Sequence, residues 1–421
     1  MVSMRNEPDT AGGASVLTAP DARHLLDSAV ATMGGTLHNW SVTQVDHRPG
    51  RSTTVSYRTR IAWPDGVRTE TLGARVSERG PFSTAKDPRI LRMSDGEREV
   101  QVWRFPADPA LPALATAVSP HTVADLLRNA GIDPAGARTR VVGYRPCRRA
   151  VVAITTPEAR VFVKVLRPGR AAEVHRRLTL TRAAGLPTPR SLGWSDDGLV
   201  VLAPLHGIGL REAVRREGPR ACSPDELVDL LERLPAELTE LPRRAPWSES
   251  AGHYASIVGA AVPSLAERAE AAAAAIAAGL DGTGDASADV PVHGDFYEAQ
   301  LLVDSGRVTG LLDIDTAGPG RRVDDLACLV SHLSVLIVMA PAASAGVRGA
   351  LTEWIQRFDR AVDPYQLRVR AAGVSMSLAT GPYRTQESGW SQSVTDRLGL
   401  TEQWLAAADK GGVPDFENLL I

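Results

Sequence analysis

The stretch PVHGDFYEAQLLVDSGRVTGLLDID, residues 291–315, decides the fold. Its apolar runs at 300–303 and 308–314 flank Asp304-Ser305-Gly306, a turn signal, so the spacing predicts a β-hairpin. The polar loop HGDFYEA leads into one end of that hairpin, and Asp313 and Asp315 follow the other. A hairpin folds its two ends side by side. Asp295, Gln300 and Asp313 are therefore expected to converge, although they are spread along the chain.

Two carboxylates and an amide oxygen in one cleft suit a Mg²⁺-dependent phosphoryl transfer. One carboxylate accepts the proton of an attacking hydroxyl, while the other carboxylate and the amide hold the metal. His293-x-Asp295-x-x-x-x-Gln300, then Asp313, has the order and the step of five found in protein kinases. The whole stretch resembles the aminoglycoside phosphotransferase and choline kinase-like group, with its HGDxxxxN, hairpin, IDxD and DLA signature. This chain supplies HGDFYEAQ, LLDID and, at residues 324–327, DDLA. Any one Asp-containing turn is more often structural than catalytic, so the weight lies in the ordered set. Asp325 is read as capping the next helix or bracing the loop.

At 421 residues the chain has room for two or three domains and a well-buried core. Its 43% hydrophobic and 23% charged content is ordinary for a globular protein. A net charge of −2 gives no electrostatic case for nucleic acid or an anionic membrane. No basic-then-apolar leader follows Met1, and the longest apolar run, residues 326–341, is too short and polar to span a bilayer. Cys147, Cys222 and Cys328 form neither a disulfide framework nor a zinc pattern, and a reducing cytoplasm is the expected location.

Upstream, residues 1–18 are expected to be frayed, and 22–33 to form a helix. Residues 41–76 alternate as antiparallel sheet, and the Pro-broken WRFPADPALPAL at 103–114 reads as an extended strap. A second β segment begins near Arg138. Its YRPCRRAVVAI (144–154) aligns with HRPGRSTTVSY (47–57) through a shared Arg-Pro-x-Arg. Either a strand–loop–strand unit is duplicated, or the chain has two basic hairpins. In the second copy Lys164 sits within an apolar strand and needs a partner. Glu173, on the helix that follows, is the expected one, as in kinases that grip the α- and β-phosphates this way. The alternative is a lysine snorkelling from an edge strand.

From Leu210 the pattern is helical, with a capping-box signature at Ser223 and Glu226 and a flexible loop at 281–289. Further helices are expected near 323–339, 344–360, 364–379 and 391–408. Tyr383, Glu387 and Trp390 lie in a Gly-Pro break, either a polar-aromatic wall for a sugar ring or an ordinary surface loop.

The expected fold is α+β, a protein-kinase-like two-lobed arrangement with an N-terminal α+β cap domain. The expected division is 1–118 cap, 119–205 nucleotide-binding lobe and 206–421 helical catalytic lobe. The resemblance implies transfer of the ATP γ-phosphate to a hydroxyl of a small molecule. It makes Asp295 the general base, Gln300 and Asp313 the Mg²⁺ ligands, and Lys164 with Glu173 the phosphate grip. It puts Ala203 and Leu205 at the adenine hinge, with His293 as a loop brace. Arg148 and Arg149 stand where protein kinases place glycines over the phosphates, and either grip phosphate or form an exposed turn. Asp315, Glu298, Tyr383, Glu387 and Trp390 are the candidate acceptor contacts. Gln300 in place of asparagine, together with an N-terminal cap, resembles maltokinases and related glucosamine kinases, which carry HGDxHxxQ. That tilts the acceptor towards a sugar, an amino sugar or an aminoglycoside-like molecule, although Tyr297 replaces that motif's second histidine. The competing reading is a nucleotide-binding pseudokinase or scaffold, which the missing glycines, Gln300 and Gly320-Arg321 favour. A protein kinase is disfavoured, because no APE-terminated activation segment follows Asp313. Oligomeric state is not legible.

Overall fold

The computed structural model describes residues 12–20, 22–80, 82, 87–94, 98–281 and 289–416. Alternation of β-formers across residues 36–104 builds the first sheet. Helices α1 (Gly12–Thr18) and α2 (Ala22–Thr32) precede strands β1 (Thr36–Arg48), β2 (Ser52–Trp63), β3 (Gly66–Ser77), β4 (Ile90–Ser94) and β5 (Glu99–Arg104). The strands pair antiparallel in the order β1-β2-β3-β5-β4. Leu17, Leu26 and Val30 of the helices pack with Val55, Tyr57 and Leu72 of the sheet. Residues 1–11 lie outside the described residues, and fraying was expected of the whole segment up to about residue 18. Instead Leu17 is fully buried and its carbonyl accepts the Tyr57 hydroxyl at 2.7 Å.

The strap leaves β5 and carries α3 (Leu114–Val118) and α4 (Pro120–Asn129) onto a second sheet. That sheet contains β6 (Arg138–Arg145), β7 (Arg149–Thr155), β8 (Arg160–Val165), β9 (Ser191–Trp194) and β10 (Leu199–Leu202), with α5 (Ala171–Ala183) between β8 and β9. Its order is β6-β7-β8-β10-β9, again antiparallel throughout. Leu111, Leu114 and Ala117 of the strap pack with Val152, Val161 and Val163. Relabelled from one, the two sheets have the same strand order. Duplication is thus the better account of the shared Arg-Pro-x-Arg.

The remainder is a helical lobe: β11 (Ile208–Gly209), α6 (Leu210–Glu217), α7 (Pro224–Glu232), α8 (Ala251–Ala261), α9 (Ala266–Asp281), β12 (Val290–Val292), β13 (Leu301–Asp304), β14 (Arg307–Leu311), β15 (Gly318–Gly320), α10 (Arg322–Met339), α11 (Ala345–Phe358), α12 (Pro364–Ala379), α13 (Gly381–Thr385) and α14 (Trp390–Lys410). Helices α10 and α12 are mostly buried and form its spine. Ser223 caps α7 by accepting the Asp225 N–H at 3.2 Å. The capping box does not close, because Glu226 turns to β14 and accepts the Val308 N–H at 3.3 Å. Of the flexible loop expected at 281–289, residues 282–288 lie outside the described residues. Among the described residues no helix is long and apolar enough to cross a membrane.

Candidate active site

Strands β13 and β14 form the hairpin read from the sequence, with Leu301 opposite Leu311. Ser305 (φ 50°) and Gly306 (φ 77°) close it in the left-handed conformation that suits a two-residue hairpin loop. At its open end the Leu312 N–H donates to the Gln300 carbonyl at 2.8 Å. The next residue, Asp313, is itself left-handed (φ 54°), a conformation aspartate tolerates better than most residues. The Gln300 amide nitrogen then lies 3.4 Å from Asp313 Oδ2.

The loop before the hairpin is held from beneath. Asp325, at the start of α10, accepts the His293 N–H at 2.7 Å and the Gly294 N–H at 2.8 Å. The carboxylate braces the loop, as anticipated. Burial raises its pKa to about 6 in spite of those bonds. His293 is fully buried; its Nδ1 accepts the Asp295 N–H at 3.2 Å and its Nε2–H donates to the Leu312 carbonyl at 2.9 Å. Both nitrogens are thus committed to holding the loop against the hairpin. Gly294 has φ +78°, and a Cβ there would meet the Thr316 carbonyl at 2.8 Å, so the bend requires glycine.

The second sheet faces this hairpin. Lys164, buried on β8, reaches Asp313 Oδ1 and Asp315 Oδ2, each at 2.6 Å, and Arg149 reaches Asp313 Oδ2 at 2.9 Å. Burial alone would raise Asp313, but Lys164 and Arg149 outweigh it and hold the carboxyl below the ordinary carboxylate range. Burial likewise disfavours the Lys164 ammonium, yet Asp315 and Asp313 raise its pKa. Asp295 moves the other way: burial and then the charge of Asp313 raise it, against the pull of His293. Two neighbouring aspartates are therefore pushed apart, one kept ionised and the other made more basic.

The expected Lys164–Glu173 ion pair is not formed. Glu173 lies in the first turn of α5, half-exposed, with Arg170 at 3.2 Å and Arg177 at 3.6 Å, while the hairpin carboxylates take Lys164. Glu298, a candidate acceptor contact, has no exposed surface and pairs with Arg211 at 2.8 Å. Asp315 faces Lys164. Glu387 pairs with Arg397 at 3.4 Å, and Tyr383 and Trp390 pack edge-on at 5.1 Å, a break that includes the short α13. Tyr297, in place of the motif's second histidine, stacks on His332 at 4.0 Å.

Two cavities meet at the carboxylates. An apolar one of about 630 Å³ runs from Ala203 and Leu205 past Val151 and Leu302 to Lys164, Gln300 and Asp313. A polar one of about 430 Å³ contains Asp295, Asp313, Asp315 and Glu173, facing Arg145, Arg148, Arg149 and Arg244. Arg149 and Arg145 border both. Arg149 is read with Arg148 as a phosphate contact or an exposed turn, whereas Arg145, Arg244 and Trp247 are given no role from sequence. Arg149 adjoins Arg148 in a turn already recognised as basic, whereas Arg244 and Trp247 carry no motif. Asp108 of the strap was also missed. It accepts the Tyr144 hydroxyl at 2.7 Å and the Cys147 N–H at 2.8 Å, while Arg167 grips the Cys147 carbonyl at 2.8 and 2.6 Å. The arginine turn is thereby fixed without glycines.

The model of the phosphotransferase enzyme family matches residues 148–362, just over half of the chain. The chain belongs to that family, and its class is that of the small-molecule kinases. Solved structures similar to it include a thermostable mutant of aminoglycoside phosphotransferase APH(4)-Ia with ADP and hygromycin B (13% identity, 67% of this chain and 97% of that one, TM-score 0.46). Choline kinase LicA from Streptococcus pneumoniae is 13% identical over 68% of this chain and 97% of its own, with a TM-score of 0.47. Macrolide 2'-phosphotransferase MphH from Brachybacterium faecium is 22% identical over 66% and 97%, with a TM-score of 0.37. No match is found among curated proteins.

Proposed function

We propose that the chain transfers the γ-phosphate of ATP, with Mg²⁺, to a hydroxyl of a sugar-like small molecule in the cytoplasm. One observation carries this reading: Lys164, Asp313, Gln300 and Asp295 converge where an apolar cavity opens into an arginine-lined one. The apolar cavity suits a purine, with the backbone at Ala203 and Leu205 beside it, and Arg145, Arg148, Arg149 and Lys164 suit the phosphates. Residues 1–118, 119–205 and 206–421 divide the work as cap, nucleotide lobe and catalytic lobe, and the strap ties the first to the second.

The donor set fits Mg²⁺. The Asp313 carboxylate is a hard oxygen donor, and the Gln300 amide beside it, whose nitrogen faces Asp313 at 3.4 Å, would offer its oxygen after a flip of the amide, which suits an ion completed by phosphate oxygens and water. When bound, Mg²⁺ would neutralise charge on the transferring phosphoryl group. Asp295 lines the polar cavity and takes the proton of the acceptor hydroxyl; its raised pKa strengthens it as a base. Lys164 and Arg149 hold phosphate oxygens, and the buried His293–Asp325 brace keeps Asp295 in place. Trp247 adds an aromatic face beside Asp295, of the kind on which sugar rings stack. Glu173, in the polar cavity wall, is left to orient Arg170 there and to pair with the buried Arg177 behind it.

Asp295→Asn tests the proposal. ATP binding and folding should persist while kcat falls by about 10²–10⁴. Near-full turnover in the folded variant would remove Asp295 from the mechanism.

A further inference from the structure

A third cavity, of about 150 Å³, lies beyond the polar one. The two share Arg145, Arg148 and Trp247 in their walls, whereas only Arg145 is shared with the apolar cavity. The order from the hinge outwards is therefore apolar cavity, carboxylates, third cavity. Four parts of the chain build it: the end of β1 with Asp46 and Arg48, the β6–β7 turn, the stretch from Trp247 into α8, and α13 with Tyr383 and Arg384.

Its charge is unbalanced. Arg48, Arg145, Arg148 and Arg384 line it, and Asp46 is its sole carboxylate among the described residues. Asp46 is already shared, 3.7 Å from Arg48 and 3.5 Å from Arg148. Arg145 and Arg384 form no ion pair among the described residues, and the Arg145 Nε is buried without a hydrogen-bond partner. Burial, and next the charge of Arg384, lower the Arg145 pKa to about 10. Crowded guanidiniums left unpaired off the bulk solvent are unfavourable unless an anion joins them, and their forked donors match carboxylate and phosphate.

We propose that this cavity is an anion subsite for the acceptor, which is an acidic polyhydroxy molecule such as a sugar acid or a sugar phosphate. Its anionic group is held by Arg384 and Arg48, which lie outside the polar cavity, with the unpaired Arg145 at the border of the two, while one hydroxyl faces Asp295. The proposal rests on the phosphotransferase reading above and narrows it. It also gives the N-terminal sheet a task, because β1 supplies one wall of the site.

The test uses the full chain with Mg²⁺ and a non-hydrolysable ATP analogue. Glucuronate, gluconate, glucose 6-phosphate, glucose and glucosamine are titrated by calorimetry, and ADP release from ATP is followed with each. At least one acid should bind tenfold or more tightly than glucose and glucosamine. The glucuronate and glucose 6-phosphate arms tell carboxylate from phosphate. Arg384→Gln and, separately, Arg48→Gln should each weaken that acid by about tenfold, in line with the loss of one charge-assisted contact, with analogue affinity unchanged. Equal or tighter binding of glucosamine, or an equal loss of analogue affinity in both variants, would overturn the anion subsite. Transfer to neutral acceptors without acid preference sinks the subsite and leaves the kinase reading standing. Acid preference in binding with no Mg²⁺-dependent ADP release for any acceptor supports the subsite and sinks phosphotransfer.

Discussion

The molecule contains the same sheet twice, and only one copy has a partner that makes it chemical. In both, a helix leads into an antiparallel sheet of the same strand order, opened by a hairpin bearing Arg-Pro-x-Arg. The registers superimpose. At the hairpin tips Arg48 opposes Ser52 and Arg145 opposes Arg149. Two residues further on, Thr54 opposes Arg75 in the first sheet and Val151 opposes Lys164 in the second. Arg75 therefore occupies the position of Lys164. Lys164 meets Asp313 and Asp315, whereas Arg75 lies 4.9 Å from the Phe82 ring and its Nε is buried without a partner. A basic residue in the third strand is thus not a nucleotide site by itself. On the proposed reading, the carboxylate hairpin that the helical lobe places against it makes it one.

The largest expected effect separates these two cations. Lys164→Met should lower kcat/KM by about 10²–10³, the scale for removing one preorganised charge-stabilising donor. Arg75→Met should leave kcat/KM within about twofold, since no carboxylate among the described residues pairs with it and exchange of a packed stem is tolerated. Comparable losses in both variants, measured on folded samples, would mean that the first sheet also binds nucleotide.

Gln300→Asn probes the partner rather than the sheet. The shorter side chain draws its oxygen back by roughly 1.5 Å, one C–C bond, and a misplacement of that size can lower the rate on the order of 10²-fold. Excess Mg²⁺ should restore part of it. A gain in activity would mean that glutamine is a degenerate ligand, and no change would mean that Gln300 does not meet the metal.

How much of this was legible depended on distance along the chain. The step from Asp295 to Gln300 and the Ser305-Gly306 turn are local, so the convergence at the hairpin mouth could be read directly. The partner of Lys164 could not. Glu173 is nine residues away and Asp313 is on another lobe, and only the packing of β8 against the hairpin chooses between them. The third cavity was hidden for the same reason: Arg48, Arg145 and Arg384 come from three separate segments, and no spacing along the chain shows that they meet. The duplication left a faint trace because a strand order constrains the alternation of residue types and hardly their identity.

Asp108 sits on the link between the two sheets. Asp108→Ala would strip the Tyr144 hydroxyl and the Cys147 N–H of their acceptor, which costs about 1–3 kcal/mol for buried groups. The loosened turn should raise KM for ATP by about tenfold with little change in kcat, checked by steady-state kinetics beside urea denaturation. An unchanged KM alongside lost stability would make the strap a structural tie between the sheets, without influence on the nucleotide.

The smallest effect concerns the loop that the second sheet faces and the first does not. Asp325 is fully buried, and its folded-state pKa of about 6 stands above the ordinary 3.8 because burial opposes the charged form. Between about pH 4 and pH 6 the folded protein therefore retains a proton that the unfolded chain has released, so the stability due to this group falls as pH rises through that window. Each unit of such a shift is worth about 1.4 kcal/mol, which bounds the change at about 3 kcal/mol. Asp325→Asn removes the titration and leaves at most one acceptor for the His293 and Gly294 N–H groups. The wild type should exceed the variant in stability by most near pH 4, and the gap should narrow towards pH 7 in urea denaturation. Hydrogen exchange should quicken at His293 and Gly294 in the variant and stay unchanged in β1, β2 and β3, since this brace serves the loop facing the second sheet alone. A gap independent of pH would mean that Asp325 is ionised throughout, with its two N–H donors outweighing burial.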